Sequence, residues 1–207
     1  TLCPHCGWDL DGERDALVLR CKNCQSTWYP VGRKLKQLKF ARMAHGDADA
    51  VYLPFWRIRA DISGIELKSY ADLIKVANLP KAVQEDWHRT AFRFWIPAFK
   101  VRPRIFLRLA GQVTVAQPRD ELVPRIPDSR IHPSNLPVAE AIESLKLILA
   151  GLIKPRKTLA DKLAAINVDA KSVALIYFPF KEAHVEYIQP DYQIALNKNV
   201  LSLSRNL

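Results

Sequence analysis

Apolar residues recur along the chain with different periods in different segments. From Val138, the positions Ile142, Leu145, Leu149 and Leu152 follow at alternating steps of four and three, with Glu140, Glu143 and Lys146 on the opposite side. That spacing predicts an amphipathic helix, capped by Ser134 or Asn135 and ended by Gly151 and Pro155. Shorter helices are predicted over 69–77 and from a cap at Thr158 to Leu163. Residues 104–117 are read as helix, although Ile105, Leu107 and Leu109 also alternate.

Three segments, 51–62, 92–101 and 172–180, read as strands and echo one another. Each sets aromatic residues around one proline ahead of a basic residue: Tyr52-Leu53-Pro54-Phe55-Trp56-Arg57, Phe94-Trp95-Ile96-Pro97-Ala98-Phe99-Lys100 and Tyr177-Phe178-Pro179-Phe180-Lys181. Proline cannot donate to a ladder, so each belongs at an edge, a strand end or a bulge. The echo predicts a sheet of repeated units, each bulged at the same place, with the aromatics in the core. Further strands are expected over 33–43, 183–188 and 194–203. The stretch 117–137, with five prolines, is expected to be an irregular connection.

Composition agrees with an ordered chain. Of 207 residues, 49% are hydrophobic and 25% charged, enough for one domain with a core and a small appendage. The expected fold is α+β: a small amino-terminal zinc ribbon over residues 1–30, then a mixed, mainly antiparallel sheet domain with a few helices over residues 31–207.

The ribbon rests on Cys3-Pro4-His5-Cys6-Gly7, followed after fourteen residues by Cys21-Lys22-Asn23-Cys24. Each pair makes a tight turn with both thiolates to one side, and Gly7 allows a positive φ. Together Cys3, Cys6, Cys21 and Cys24 supply a tetrahedral set for zinc. Iron in a rubredoxin-like site uses the same ligands, but its knuckles usually carry a glycine after both pairs, and Gln25 follows the second here, so zinc is favoured. Four sulfurs close the coordination sphere, which makes the metal structural. Trp8 and Trp28 are expected to form the ribbon's small core, with stacking on bases as the alternative. His5 is expected at the surface.

All four cysteines lie in the ribbon, which points to a reducing, cytoplasmic setting. No signal peptide is visible, and the longest apolar run, 147–153, is far shorter than the ~20 residues of a membrane span. The net charge of +10 is uneven, because residues 1–30 hold three basic side chains against four acidic ones. Arg33, Lys34, Lys36, Lys39 and Arg42, together with Lys100, Arg102, Arg104 and Arg108, are candidate nucleic-acid contacts. Solvated faces account for them equally well.

No nucleophile elbow, phosphate loop, dinucleotide fingerprint or paired-histidine metalloprotease motif occurs, and the five histidines show no ligand spacing. No catalytic residue is nominated. His45-Gly46-Asp47-Ala48-Asp49 reads as a loop. The knuckle residues followed by Tyr52-Leu53-Pro54-Phe55-Trp56 resemble a loose group of bacterial zinc-ribbon proteins of uncharacterised function, with a β-rich body carrying repeated aromatic-x-Pro-Phe strands. The resemblance implies zinc and a cytoplasmic bacterial setting and brings no catalytic residues. The expected function is a non-enzymatic interaction or scaffold protein whose ribbon docks a protein partner. A nucleic-acid-binding protein using the basic body is the alternative, and an enzyme of unknown type comes last.

Overall fold

The computed structural model of the chain describes residues 1–13, 15–155 and 163–203. The short helix expected from Thr158 falls almost wholly outside them. In the amino-terminal unit, β1 (Leu19–Cys21), β2 (Ser26–Val31) and β3 (Lys34–Leu38) form a three-stranded antiparallel sheet. The β2–β3 hairpin turns at Gly32, φ 58°, and carries the ribbon's sheet past residue 30 to Leu38.

The body is built on β4 (Phe40–Met43), β5 (Val51–Ser63), β6 (Phe94–Pro97), β7 (Leu122–Val123), β8 (Asn167–Glu182), β9 (Glu186–Gln189) and β10 (Ile194–Asn197). Strand β8 is the hub. It runs antiparallel to β5 from Phe180↔Val51 to Asn167↔Ser63, parallel to β4 over Leu175–Tyr177, and antiparallel to β9 at Lys181 and Glu182. The sheet is therefore mixed, with the β4–β8 contact its parallel pair among the described strands.

The apolar runs of β5 and β8 are continuous because both faces of the sheet are covered. Tyr52, Trp56, Ile58, Leu175 and Tyr177 face one core, and Val51, Leu53, Phe55, Ile176, Phe178 and Phe180 face the other. Helices α1 (Tyr70–Val76) and α3 (Val138–Leu152) fill the first core. Helix α2 (Pro103–Ala116) lies along β6, sending Leu109 and Val113 into the second core and Ala110 into the first.

The three echoing segments are β6, β5 and β8, neighbours in one sheet, with their aromatics buried as expected. The expected bulges are absent from the prolines; the register shifts instead between Arg59 and Ala60. Each proline stands where no ladder donor is called for. Tyr52 donates to Arg130 O at 2.8 Å and accepts from His132 N–H at 2.9 Å, so Tyr52 and Pro54 address the edge of β5 away from β8. Pro54 falls where that edge changes partner from 130–132 to β6. Pro179, opposite Tyr52, falls on the other edge of β8, between its pairings with β4 and β9. Pro97 ends β6 and faces outward. The donors on that outer edge are taken by α2: Arg93 N–H reaches Gln117 Oε1 at 2.8 Å, and Trp95 N–H reaches Thr114 Oγ1 at 3.0 Å. A helix thus closes an edge that a bare strand would leave open to pairing.

Other expectations need correction. Neither Ser134 nor Asn135 caps α3, whose N-cap is Pro137. Asn135 Oδ1 accepts instead from Lys100 N–H at 2.8 Å, and the Tyr29 hydroxyl accepts from Val138 N–H at 3.3 Å, so a ribbon side chain takes the capping role. The buried stripe of α3 is Ala141, Leu145, Ile148 and Leu149, rotated from the expected one. After β10 the chain turns into α4 (Lys198–Leu203) rather than continuing as strand to 203. Helix α1 matches its expectation and carries a Ser69–Asp72 capping box. No described helix is long and apolar enough to cross a membrane.

Candidate metal centre

Two knuckles bring the four thiols together. The first turn is closed by Gly7 N–H to Cys3 O at 2.9 Å, with Gly7 at φ 72°. At the second knuckle Gln25 takes the equivalent left-handed conformation, φ 52°. Its amide donates to Lys22 O at 3.0 Å and accepts from Ile126 N–H of the body at 3.0 Å. A glycine there would relax the backbone and lose this tie.

The Cys3 and Cys24 sulfurs are 3.7 Å apart, and those of Cys6 and Cys21 3.4 Å. All four lie within 4.8 Å of one another. A tetrahedral metal with sulfur bonds of ~2.3 Å requires edges of about 3.8 Å, whereas a disulfide needs ~2 Å. The four cysteines therefore form a cluster fit to hold a metal ion.

Their surroundings favour thiolates. Burial pushes the Cys3 thiol up, but the backbone N–H groups of Cys6 and His5 and the side chains of Ser26 and Cys24 outweigh it and bring it down to about 6. The Trp8 N–H and the Asn23 side chain lower Cys6. At Cys24 the Ser26 hydroxyl lowers the thiol, while burial and the other three sulfurs raise it, leaving it at about 12. Sulfurs this close cannot all ionise unaided, and a divalent cation removes that conflict. Trp28 Nε1 donates to Ser26 Oγ at 2.8 Å, which frees the serine proton for Cys24 Sγ at 3.0 Å. This relay supports the ligands from behind. Ser26→Ala should weaken metal binding by about 10- to 100-fold in a chelator competition; unchanged competition would remove Ser26 from the site's support.

The ribbon is docked on the body. Val18 enters the first core, Leu17 N–H donates to Ser134 O at 2.7 Å, and the Tyr29 ring meets Trp56 edge-on at 6.2 Å. Trp28 is buried against Cys3 and Cys21, as expected. Trp8 is not in the core: it is 61% exposed, one residue before Asp9, which bridges to Leu2. The knuckle fold turns Trp8 outward because its backbone, rather than its ring, serves the turn, with its carbonyl accepting from Cys3 N–H at 2.7 Å.

The basic candidates occupy separate elements. Arg33, Lys34, Lys36 and Lys39 are exposed on and beside β3, while Arg102, Arg104 and Arg108 are exposed at the start of α2, with Lys100 half-buried before it. Arg42 is drawn into the body, its Nε buried without a partner and its Nη1 3.4 Å from the Tyr52 hydroxyl. The loop from His45 to Asp49 precedes β5 as expected, and Asp47 pairs with Lys181 at 3.0 Å. Sequence reasoning passed over Arg57 and Arg93, which look like ordinary strand-end charges until β5 and β6 are paired. No family model, curated protein or solved structure matches the chain.

Proposed function

We propose that the chain is a non-enzymatic interaction protein in which zinc, enclosed by Cys3, Cys6, Cys21 and Cys24, holds a rigid ribbon that docks a protein partner in a reducing, cytoplasmic compartment. The exposure of Trp8 carries this reading. A tryptophan on a metal-stapled turn has lost most of its conformational freedom before binding, and buried tryptophans are among the strongest anchors of protein interfaces. The closed sulfur shell leaves no position for substrate and supports a structural metal.

The experiment is co-purification from the native host with a photo-crosslinking residue near position 8, comparing wild type with Trp8→Ala. The variant should keep the wild-type melting temperature and lose its crosslinked partner by ~30-fold or more, the loss expected for an interface anchor. Equal recovery with Trp8→Ala would overturn the reading. Capture removed by nuclease or by moderate salt would favour nucleic-acid contact through the basic side chains of β3 and α2 instead.

A further inference from the structure

Charges of one sign collect where β5 runs out of the core. Arg57 and Arg59 alternate onto the face of β5 that carries Val51, Leu53 and Phe55, and the β5–β6 register brings Arg93 beside them. The Arg57 guanidinium lies over the Trp95 ring, 5.7 Å from its centroid. Among the described residues no carboxylate or hydrogen bond reaches it, and desolvation by burial alone shifts it down from the usual guanidinium range. Arg93 is lowered by burial and then by the charges of Arg57 and Arg59. Its Nη1 is anchored on the Phe92 carbonyl at 3.0 Å. A guanidinium does not give up its proton in a protein, so this arrangement is relieved by an anion rather than by deprotonation.

A cavity of about 170 Å³ opens between these side chains, with Gln117 and Arg119 on its wall. Arg119 is fixed by Asp86 at 3.0 Å and by the faces of Tyr70 and Trp87, 5.5 and 5.8 Å from their centroids. The carboxylate in the lining, Asp120, accepts a hydrogen bond from the Tyr192 hydroxyl. Arg119 is balanced by Asp86, which leaves Arg57 and Arg93, paired with no carboxylate among the described residues, as the uncompensated positive charges of the lining beside Asp120.

We infer that this cavity binds a phosphate group, with Arg57 and Arg93 as its donors and Arg119 at its rim. Held guanidinium forks match phosphate oxygens two at a time. A phosphate group is anionic near neutrality and would supply the counter-charge that Arg57 and Arg93 lack. The site is separate from the ribbon and does not depend on how the ribbon is used.

The test is a titration of the intact metal-loaded chain at low salt with inorganic phosphate and, separately, with adenosine monophosphate, followed by phosphorus NMR and by melting temperature. Phosphate should bind saturably and raise the melting temperature. Arg57→Gln and Arg93→Gln should each weaken binding by about tenfold or more, as loss of a charge-assisted pair does. Their ligand-free stability should be equal to or above wild type, since each removes a like-charge neighbour. Lys146→Gln, on the exposed face of α3, should bind as wild type does. Equal affinity for the two ligands identifies a free phosphate group as what is read, and at least tenfold tighter nucleotide binding identifies a larger phosphomonoester; both support the site. No saturation by ~50 mM phosphate, or wild-type binding by either folded arginine variant, overturns it. Arg57 lies within β5 and Arg93 just ahead of β6, so loss of one variant to misfolding leaves the other decisive.

Discussion

Cys21→Ser is expected to release the metal and melt the ribbon. Cys21 is fully buried at the end of β1, between Trp28 and Cys3. The ribbon's own apolar cluster is small, so within the ribbon the metal is what ties the two knuckles together. Metal binding in such units amounts to ~10–16 kcal/mol, and that energy is folding energy. Serine removes one of four thiolates and leaves a hydroxyl with little affinity for zinc at neutral pH. The effect should reach the body, because Val18 and Tyr29 pack into its first core. Circular dichroism and hydrogen exchange should show lost protection at residues 17–38 and a lower melting temperature overall. Acid should act in the same direction. As pH falls, protons compete with the metal for all four sulfurs, and the stability tied to binding is lost when they win.

Trp56→Ala should be the most damaging single change in the body. The side chain is fully buried in the first core. Its Nε1 donates to Leu136 O at 3.1 Å, and its ring receives the edge of Tyr29. Truncating a buried tryptophan costs about 3–5 kcal/mol through lost transfer energy and the cavity left behind. The Leu136 carbonyl, stranded without its donor, adds ~1–3 kcal/mol. For a chain of this size the sum corresponds to roughly 8–32 °C in Tm. The Val138 amide, held by the Tyr29 hydroxyl, should exchange faster as the ribbon loosens. Trp8→Ala, by contrast, removes more exposed surface than packing and should leave Tm unchanged. Similar Tm losses in the two variants would mean that Trp8 is a packing residue.

What could be read from the chain depended on how local its cause was. The cysteine spacing is a local rule, and it located the cluster that the sulfur distances bear out. The span of α1 was also legible, and its Ser69–Asp72 capping box lies within four residues. The cap of α3 was not, because the acceptor is Tyr29, 109 positions away. The prolines of β5, β6 and β8 marked an irregularity correctly. Whether each meant a bulge or a gap between partners depended on neighbours that only the assembled sheet supplies. The fate of Trp8 turned on a side-chain direction that spacing cannot give. The charges of Arg57 and Arg93 became a site only when the β5–β6 register placed them on one face.

The account stands most directly on metal content. Native mass spectrometry of the chain purified under reducing conditions should give one zinc per molecule, with Cys21→Ser metal-free and its ribbon amides unprotected. A metal-free wild type whose ribbon remains protected, or a Cys21→Ser chain that retains stoichiometric zinc and its melting temperature, would contradict a structural four-sulfur site.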